Sequence, residues 1–367
     1  VFWPAIEYTH DCETCGPKMP YYTSRKKLSA AETARRASTQ GEKPYNTGGD
    51  KAPSEQQGGG GGGDDPDNFY MFPFTWDQVG TDWTIVLLGK RRSGKTMFVR
   101  SLLGNYLRPF FPRVYVFTKS YYSGEYDDII PKSNIFPGLA CVNDSPAAAA
   151  GGKKPGVKES EEGMLVLKRI FDIQKKYKEA SMSGKFHGNM NVLIILDDCL
   201  SDGLRYQKLI DEVFFEGRHM NICFIVTSQD FKGVNPACTG NADMCVQFRC
   251  RSERDKEAVR TKFCDFFKND EEFEELTSQA LGKKWHCVVY LQDKPHIDPR
   301  FTIFCGRPTI PEPFVMCAKE QWKNNVEQLL TIVEEKPELE WLLLPGADWG
   351  IIGEEEFNDQ MKHIPAK

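Results

Sequence analysis

The segment 84–103, TIVLLGKRRSGKTMFVRSLL, restricts the fold more than any other part of the chain. An apolar run precedes the loop GKRRSGKT, which matches the pattern G-x-x-x-x-G-K-[ST], and an apolar-striped helical pattern follows it. In such a loop the glycines let backbone N–H groups surround phosphate oxygens at the positive end of a helix. The segment therefore predicts a strand, a phosphate-binding loop and a helix, in that order.

Each residue of the loop is a candidate ligand. Lys95 is expected to contact the β- and γ-phosphates, and Thr96 is expected to offer its hydroxyl to Mg²⁺. The two arginines are open to two interpretations, as specific ligands or as solvated charges near an anion. A chance Gly-Lys-Thr at a strand-to-helix turn is the alternative for the whole motif. The predicted nucleotide-binding residues are Gly89, Lys90, Arg91, Arg92, Ser93, Gly94, Lys95 and Thr96.

Short β-branched runs alternate with helical patterns from residue 83 onward, which is typical of a parallel sheet covered by helices. The runs are almost continuously apolar, as expected for strands buried on both faces. Strands are predicted at 84–88, 113–118, 192–196, 222–227 and 244–248. Helices are predicted at 95–106, 161–180, 204–216 and 253–267. Runs 285–291 and 300–304 predict an antiparallel pair beyond the core, and the pattern after residue 318 predicts an amphipathic helix.

Composition divides the 367-residue chain into three parts. Residues 1–66 have few aliphatic runs and end in a glycine tract, so we expect a disordered N-terminal arm. Residues 67–310 form the expected globular domain, which the small-residue segment 145–163 interrupts as a flexible insertion. Residues 311–367 are expected to form a helical and acidic extension. The aromatic cluster 68–80 is interpreted as core, or as the contact between arm and domain, although an adenine could stack there.

Two adjacent carboxylates end the apolar run NVLIILDDC at 191–199. At the carboxyl edge of the sheet, beside the phosphate loop, Asp197 would serve Mg²⁺ and Asp198 could polarise a water for attack on the γ-phosphate. Neighbouring residues of a regular strand point to opposite faces, so both can act only if the strand ends there. Ordinary turn chemistry is the alternative.

Two further polar residues flank the apolar run ICFIVT at 222–227. Gln229 follows it, where an amide could bond the γ-phosphate or the attacking water; a polar strand cap is the alternative. Arg218 precedes it in FFEGRHMN, and an arginine delivered to a neighbouring subunit would stabilise transition-state charge. A surface arginine in a turn is the alternative there.

The ordered set GKRRSGKT, VLIILDDC, EGRHMNICFIVTSQ and NADMCVQFR resembles the FtsK/HerA superfamily of ring-forming P-loop ATPases. It is most similar to the poxvirus-type DNA-packaging ATPases of large double-stranded DNA viruses, over residues 68–305. The resemblance implies a RecA-like core in which one strand separates the Mg²⁺ strand from the phosphate-loop strand. It further implies that Lys95 and Thr96 bind ATP and Mg²⁺ and that Asp197 serves the metal.

The same resemblance implies catalysis by Asp198, γ-phosphate sensing by Gln229 and action in trans by Arg218. Many relatives carry Asp-Glu where this chain has Asp-Asp, so the shorter Asp198 departs from the pattern. The implied partners are double-stranded DNA, further copies of this chain in a ring, and viral capsid or packaging proteins. Segments 119–135 and 230–243 follow strand ends and are candidate DNA-contacting loops.

The predicted function is therefore ATP-driven translocation of DNA, most specifically packaging of a viral genome. A cellular-type HerA-like translocase or helicase is one alternative. A small-molecule kinase would not need Gln229 or an arginine in trans, and a guanine-specific switch would normally carry Asn-Lys-x-Asp, which this sequence lacks.

Bulk composition agrees with an intracellular protein. The net charge is −5, so general electrostatic coating of nucleic acid is not expected, although a local basic strip would suffice. Twelve cysteines lack the spacing of a secreted disulfide scaffold and predict reduced thiols. Cys12 and Cys15 resemble half of a zinc site, with a plain thiol pair as the alternative.

No apolar run approaches a membrane span, and the first residues lack a basic-then-apolar signal segment. We expect the host cytoplasm or a viral factory as the location, with the virion in addition.

Overall fold

The fold is built on a ten-stranded mixed sheet. The computed structural model describes residues 45–46, 70–139, 162–200, 208–231, 234, 236–250, 252–264, 266–267, 270–292 and 302–351. The strands are β1 (Tyr45–Asn46), β2 (Tyr70–Pro73), β3 (Thr84–Leu88), β4 (Arg113–Thr118), β5 (Ile135–Phe136), β6 (Val192–Asp197), β7 (Ile222–Ser228), β8 (Met244–Phe248), β9 (Cys287–Leu291) and β10 (Ile303–Gly306). Their order across the sheet is β1-β2-β10-β9-β8-β3-β7-β6-β4-β5.

The centre of this sheet is parallel. β8, β3, β7, β6, β4 and β5 run in one direction, and β7 lies between β3 and β6. The one-strand separation implied by the FtsK/HerA resemblance is thus present, and the fold is the RecA-like P-loop NTPase fold. All five predicted core strands form, with β6 and β7 each one residue longer than expected.

The predicted antiparallel pair is confirmed, but its predicted place was wrong. β9 pairs antiparallel with both β8 and β10, so the pair extends the central sheet and does not lie beyond the core. β2, which the sequence did not predict as a strand, runs parallel to β10 and antiparallel to β1. The segment containing the aromatic cluster 68–80 therefore joins the sheet through β2.

Seven α-helices are present in the described residues: α1 (Lys95–Leu102), α2 (Glu162–Met182), α3 (Lys208–Glu216), α4 (Pro236–Gly240), α5 (Glu253–Phe263), α6 (Asp270–Leu281) and α7 (Val326–Glu335). The helix predicted at 95–106 is α at first and continues as a π-helix over Leu103–Leu107. The helix predicted at 253–267 was too long. It ends at Phe263, because Cys264 leaves the helical region with φ −144° and ψ 38°, and α6 follows.

Helices cover both faces of the sheet and create two apolar cores. Along β3, Val86 and Leu88 face one core, whereas Ile85 and Leu87 face the other, as strand geometry requires. The first core includes apolar side chains of α2, and the second includes those of α1. Burial on both faces explains why the strand sequences are continuously apolar.

The described part of the C-terminal extension, residues 311–351, packs against the domain. Val315, Trp322, Leu329 and Leu342 belong to a third buried cluster, built from α7 and the 3₁₀ turns Lys319–Trp322 and Pro337–Leu343. Gln328 on α7 donates hydrogen bonds to the carbonyls of Asp127 and Ile130, which ties this region to the segment after β4.

The remaining organisation stays a prediction. Within the predicted arm 1–66, Tyr45 and Asn46 form the short strand β1, and the rest, including Cys12 and Cys15, lies outside the described residues. Residues 145–161 of the insertion also lie outside them, and Glu162 already begins α2. The nine cysteines of the described ranges form no disulfide, and seven of them are buried. No helix in the described ranges is long and apolar enough to cross a membrane.

Candidate active site

The phosphate loop connects β3 to α1 at the carboxyl edge of the sheet. Arg92 and Gly94 have positive φ angles of 63° and 111°, which curl the backbone before the helix begins at Lys95. A Cβ atom on Gly89 would lie 2.5 Å from the Ser93 Oγ and 2.8 Å from the Phe248 Cβ, so only glycine fits without a shift. The predicted strand, loop and helix are all present.

Lys95 lies beneath this loop with only 6% of its surface exposed. Its ammonium donates hydrogen bonds to the carbonyls of Gly89, at 2.6 Å, and Lys90, at 3.4 Å. The Asp198 Oδ2 is 3.8 Å from the same nitrogen. Burial lowers the pKa of Lys95, while the nearby carboxylates oppose that shift. The ammonium is thus held against the first residues of the loop.

Asp197 is the last residue of β6 and is almost fully buried. Its Oδ1 accepts a hydrogen bond from the Thr227 hydroxyl at 2.5 Å. Its Oδ2 accepts longer bonds from Thr118, at 3.3 Å, and Tyr126, at 3.4 Å. Burial raises the pKa of Asp197, and the neighbouring Asp198 and Glu125 add to that rise, while the Thr227 hydrogen bond opposes it. A cation beside this carboxylate would offset the cost of its buried charge.

Asp198 follows the strand with a left-handed backbone, φ 52°, which ends the alternation of β6. The strand therefore ends at Asp197, which is the condition under which both aspartates could act. The Gln229 amide donates to the Asp198 Oδ2 at 2.6 Å. The other oxygen, Oδ1, is buried and has no hydrogen-bond partner. The pair joins the ends of β6 and β7 directly beside Lys95.

Glu125 is a site residue that the sequence analysis missed. It lies in the segment 119–135 after β4, and its Oε2 accepts a hydrogen bond from the Thr96 hydroxyl at 3.4 Å. Its Oε2 is also 3.5 Å from the Ser120 Oγ, and it contributes to the electrostatics of both Lys95 and Asp197. No motif marks Glu125, because only the path of this segment brings it to the loop.

The loop has three further cationic side chains, of which Lys90 contacts other parts of the fold and Arg91 and Arg92 are exposed. Lys90 reaches away from the loop to the Asp255 carboxylate, at 2.8 Å, and to the Gln229 carbonyl, at 3.3 Å. It therefore links the loop to α5 and to the end of β7. Arg91 and Arg92 are exposed, and the described contacts include none that fixes their side chains.

Arg218 does not join this group. It lies in the 3₁₀ turn Gly217–Met220, just before β7, and forms an ion pair with the buried Asp243. Asp243 also accepts a hydrogen bond from the Thr84 backbone at 2.9 Å, at the start of β3. Five residues of β3 separate this amino edge from the phosphate loop, which is roughly 16 Å at the usual strand rise. Arg218 therefore faces away from its own chain's phosphate loop.

The site residues fit Mg²⁺. The Thr96 hydroxyl and the Asp197 carboxylate are hard oxygen donors, and both lie near Glu125, which accepts from Thr96 and acts on the pKa of Asp197. Within the described residues no group of three or more His, Cys, Asp or Glu could enclose a metal ion. Mg²⁺ needs no such cage, because it usually keeps several waters and binds substrate phosphates.

Sequence comparisons reveal viral relatives. No protein-family model matches the chain. It is 23% identical over 235 residues to the uncharacterized protein L437 of Acanthamoeba polyphaga mimivirus, covering 62% of this chain and 74% of the relative. It is 25% identical over 231 residues to the uncharacterized protein 075L of Invertebrate iridescent virus 6, covering 59% and 79% of the two chains.

Among solved structures, the chain is similar to the genome packaging NTPase B204 from Sulfolobus turreted icosahedral virus 2 in complex with ATPγS. The identity is 15% and the TM-score is 0.37, over 63% of this chain and 100% of that one. The strand order and the geometry of the phosphate loop show the fold independently of this similarity. The RecA-like core expected from the FtsK/HerA resemblance is confirmed by the strand order.

Proposed function

We propose that this chain hydrolyses ATP and uses that energy to move double-stranded DNA, as the genome-packaging motor of a large DNA virus. One observation carries the proposal. Lys95, Asp198 and Gln229, which come from three separate motifs, meet within hydrogen-bond or ion-pair distance at the carboxyl edge of the sheet. A site for nucleotide binding alone would not need the paired carboxylate and amide beside the phosphate loop.

Binding of ATP would begin at the phosphate loop. The backbone N–H groups of the loop and the Lys95 ammonium would hold the β- and γ-phosphates. Thr96 and Asp197 would hold Mg²⁺, which supplies charge stabilisation between the two phosphates. The Thr96 hydroxyl donates to Glu125, so its lone pairs are free for a cation. We therefore assign Glu125 as a positioning residue for Thr96.

Hydrolysis would use the Asp198 and Gln229 pair. In the proposed step a water attacks the γ-phosphorus, its proton passes to the Asp198 carboxylate, and the bond to the ADP oxygen breaks. Gln229 orients Asp198 by donating to its Oδ2, which leaves Oδ1 for the water. The same amide could turn to a γ-phosphate oxygen, which would make it sensitive to the nucleotide state.

Arg218 would complete the site of a neighbouring copy. Its position at the edge opposite the phosphate loop supports action in trans, because roughly 16 Å of strand separates it from its own chain's loop. Its ion pair with Asp243 supports the other interpretation, a structural role that anchors β3 and β8. A ring of copies would make hydrolysis depend on assembly.

Transport of DNA rests on the ring and on the loops at its inner surface. The segment 119–135 carries Glu125 at the nucleotide and contacts α7 on its other side, so it could transmit a change at the γ-phosphate. We retain 119–135 and 230–243 as the candidate DNA-contacting segments. A cellular-type translocase or helicase would share this chemistry, whereas a small-molecule kinase or a nucleotide switch leaves the Asp198 and Gln229 pair unexplained.

The test is steady-state ATP turnover measured with and without duplex DNA over a range of protein concentrations. We expect turnover per chain to rise with concentration and with DNA, because each site would be completed by a neighbour. Lys95→Ala should abolish turnover, whereas the exposed Lys323→Ala should not change it. Turnover per chain that changes neither with protein concentration nor with duplex DNA would refute the ring motor.

The two interpretations of Arg218 are separated by a matched pair of variants. Arg218→Ala and Asp243→Asn both remove the ion pair, but only the first removes the guanidinium. Action in trans predicts that Arg218→Ala binds ATP and loses turnover, that Asp243→Asn keeps turnover, and that mixing Arg218→Ala with Lys95→Ala subunits restores part of it. Equal losses in both variants, without restoration, would make Arg218 structural.

A further inference from the structure

The side chain of Trp285 does not belong to a buried core. It lies in the turn between α6 and β9, and 50% of its surface is exposed. Its φ angle is 64°, in the left-handed region that bulky side chains rarely adopt. A strained backbone that holds a large aromatic side chain towards solvent points to a functional constraint.

The ring lies against the phosphate loop. A Cβ atom on Gly94 would be 3.4 Å from the Trp285 Cδ1 and 3.7 Å from its Cβ. Pairing of Phe248 with Cys287 brings the start of β9 to the same sheet edge as the end of β3. The turn containing Trp285 therefore forms one wall of the loop.

That wall is on the side away from the hydrolysis residues. Across the sheet, β7 and β6 lie on one side of β3, and they carry Gln229 and Asp198. β8 and β9 lie on the other side, and Trp285 precedes β9. If the γ-phosphate of a bound nucleoside triphosphate faces Asp198, the ribose and base lie at the other end of the molecule, on the side of Trp285.

The chemistry around the ring suits a nucleotide. The Lys284 ammonium lies 4.3 Å from the centre of the indole, in a cation–π contact that holds the ring and adds positive charge. A purine would stack on the opposite face or replace the ammonium there.

We propose that Trp285 is the platform on which the base of the bound nucleoside triphosphate stacks. The proposal rests on nucleotide binding at the phosphate loop, as in the proposed function, and adds the base subsite. Stacking reads the flat face of a base and not its hydrogen-bonding edge. The platform therefore discriminates little between adenine and guanine.

The test compares two ligands by calorimetry on the full chain with Mg²⁺: a non-hydrolysable ATP analogue and inorganic tripolyphosphate. Trp285→Ala should weaken binding of the analogue about tenfold, as loss of one stacked base predicts. It should leave tripolyphosphate binding unchanged, because that ligand has no base. Trp285→Phe should retain most of the affinity, and Phe215→Ala, which removes an exposed ring on α3, should retain all of it.

The outcomes separate this proposal from the proposed function. If wild type binds neither ligand, nucleotide binding itself fails, and the platform fails with it. If wild type binds both and Trp285→Ala binds the analogue equally well, or loses both ligands to the same extent, the platform is refuted. Unfolding midpoints of the variants within experimental error of wild type will show that the fold is intact.

Discussion

Asp128 connects the helix of the phosphate loop to the C-terminal extension. Arg100 on α1 donates from Nη1 and Nη2 to the two Asp128 oxygens at 2.7 and 2.6 Å, a bidentate pair. Lys336, just after α7, donates to the Oδ2 at 2.9 Å. The same Arg100 Nη1 donates to the Glu125 carbonyl at 2.8 Å. The contact therefore holds the segment that carries Glu125 against α1.

The pKa of Asp128 gives the size of this stabilisation. Burial acts to raise the pKa, but the hydrogen bonds and charges of Arg100 and Lys336 outweigh it and lower the pKa from 3.8 to about 2. This lowering of the pKa corresponds to about 2 kcal/mol of unfolding free energy. Because the folded-state pKa is lowered, this stabilisation is complete above about pH 4 and is lost as pH falls towards 2.

Asp128→Asn should therefore lower the free energy of unfolding by about 2 kcal/mol at pH 7, as measured by urea denaturation. Asp127→Asn is the matched control, because the neighbouring Asp127 pairs with the exposed Lys132 at 3.1 Å and such surface pairs contribute about 0–1 kcal/mol. The gap between wild type and Asp128→Asn should narrow from pH 4 to pH 3. Equal effects of both variants at pH 7, or a gap that does not narrow, would refute the reasoning.

Two further predictions concern the site. Asp197→Asn should abolish turnover and leave the free energy of unfolding unchanged or higher at pH 7. Burial raises the pKa of Asp197, so its ionised form opposes folding above pH 3.8. Turnover assays and urea denaturation check both results, and a marked loss of stability would contradict the second. Glu125→Gln should raise the Mg²⁺ concentration needed for half-maximal turnover while ATP binding persists, and an unchanged Mg²⁺ requirement would remove Glu125 from the site.

The sequence predicted the central sheet because burial on both faces requires continuously apolar strands. The five core strands could be recognised individually from such runs. The apolar pattern did not reveal a strand whose formation depends on its neighbours in the sheet. β2 (Tyr70–Pro73) contains a proline and was interpreted only as an aromatic cluster, since its strand character depends on its pairing with β10.

The helix predicted at 253–267 was too long for a related reason. Apolar residues at 263–267 continue the helical pattern, but Phe263 and Phe267 belong to the core while the backbone leaves the helix at Cys264. Periodicity cannot distinguish a continuing helix from a turn that buries the same side chains.

By itself the sequence determined the phosphate loop and the polar residues at strand ends, because local geometry fixes where they lie. Lys95, Asp197, Asp198 and Gln229 meet since parallel strands end at one edge. Only the tertiary structure brought Glu125 to Thr96 and Trp285 to Gly94, and paired Arg218 with Asp243. These contacts join segments distant in sequence, and no local spacing encodes the path by which the chain returns to the loop.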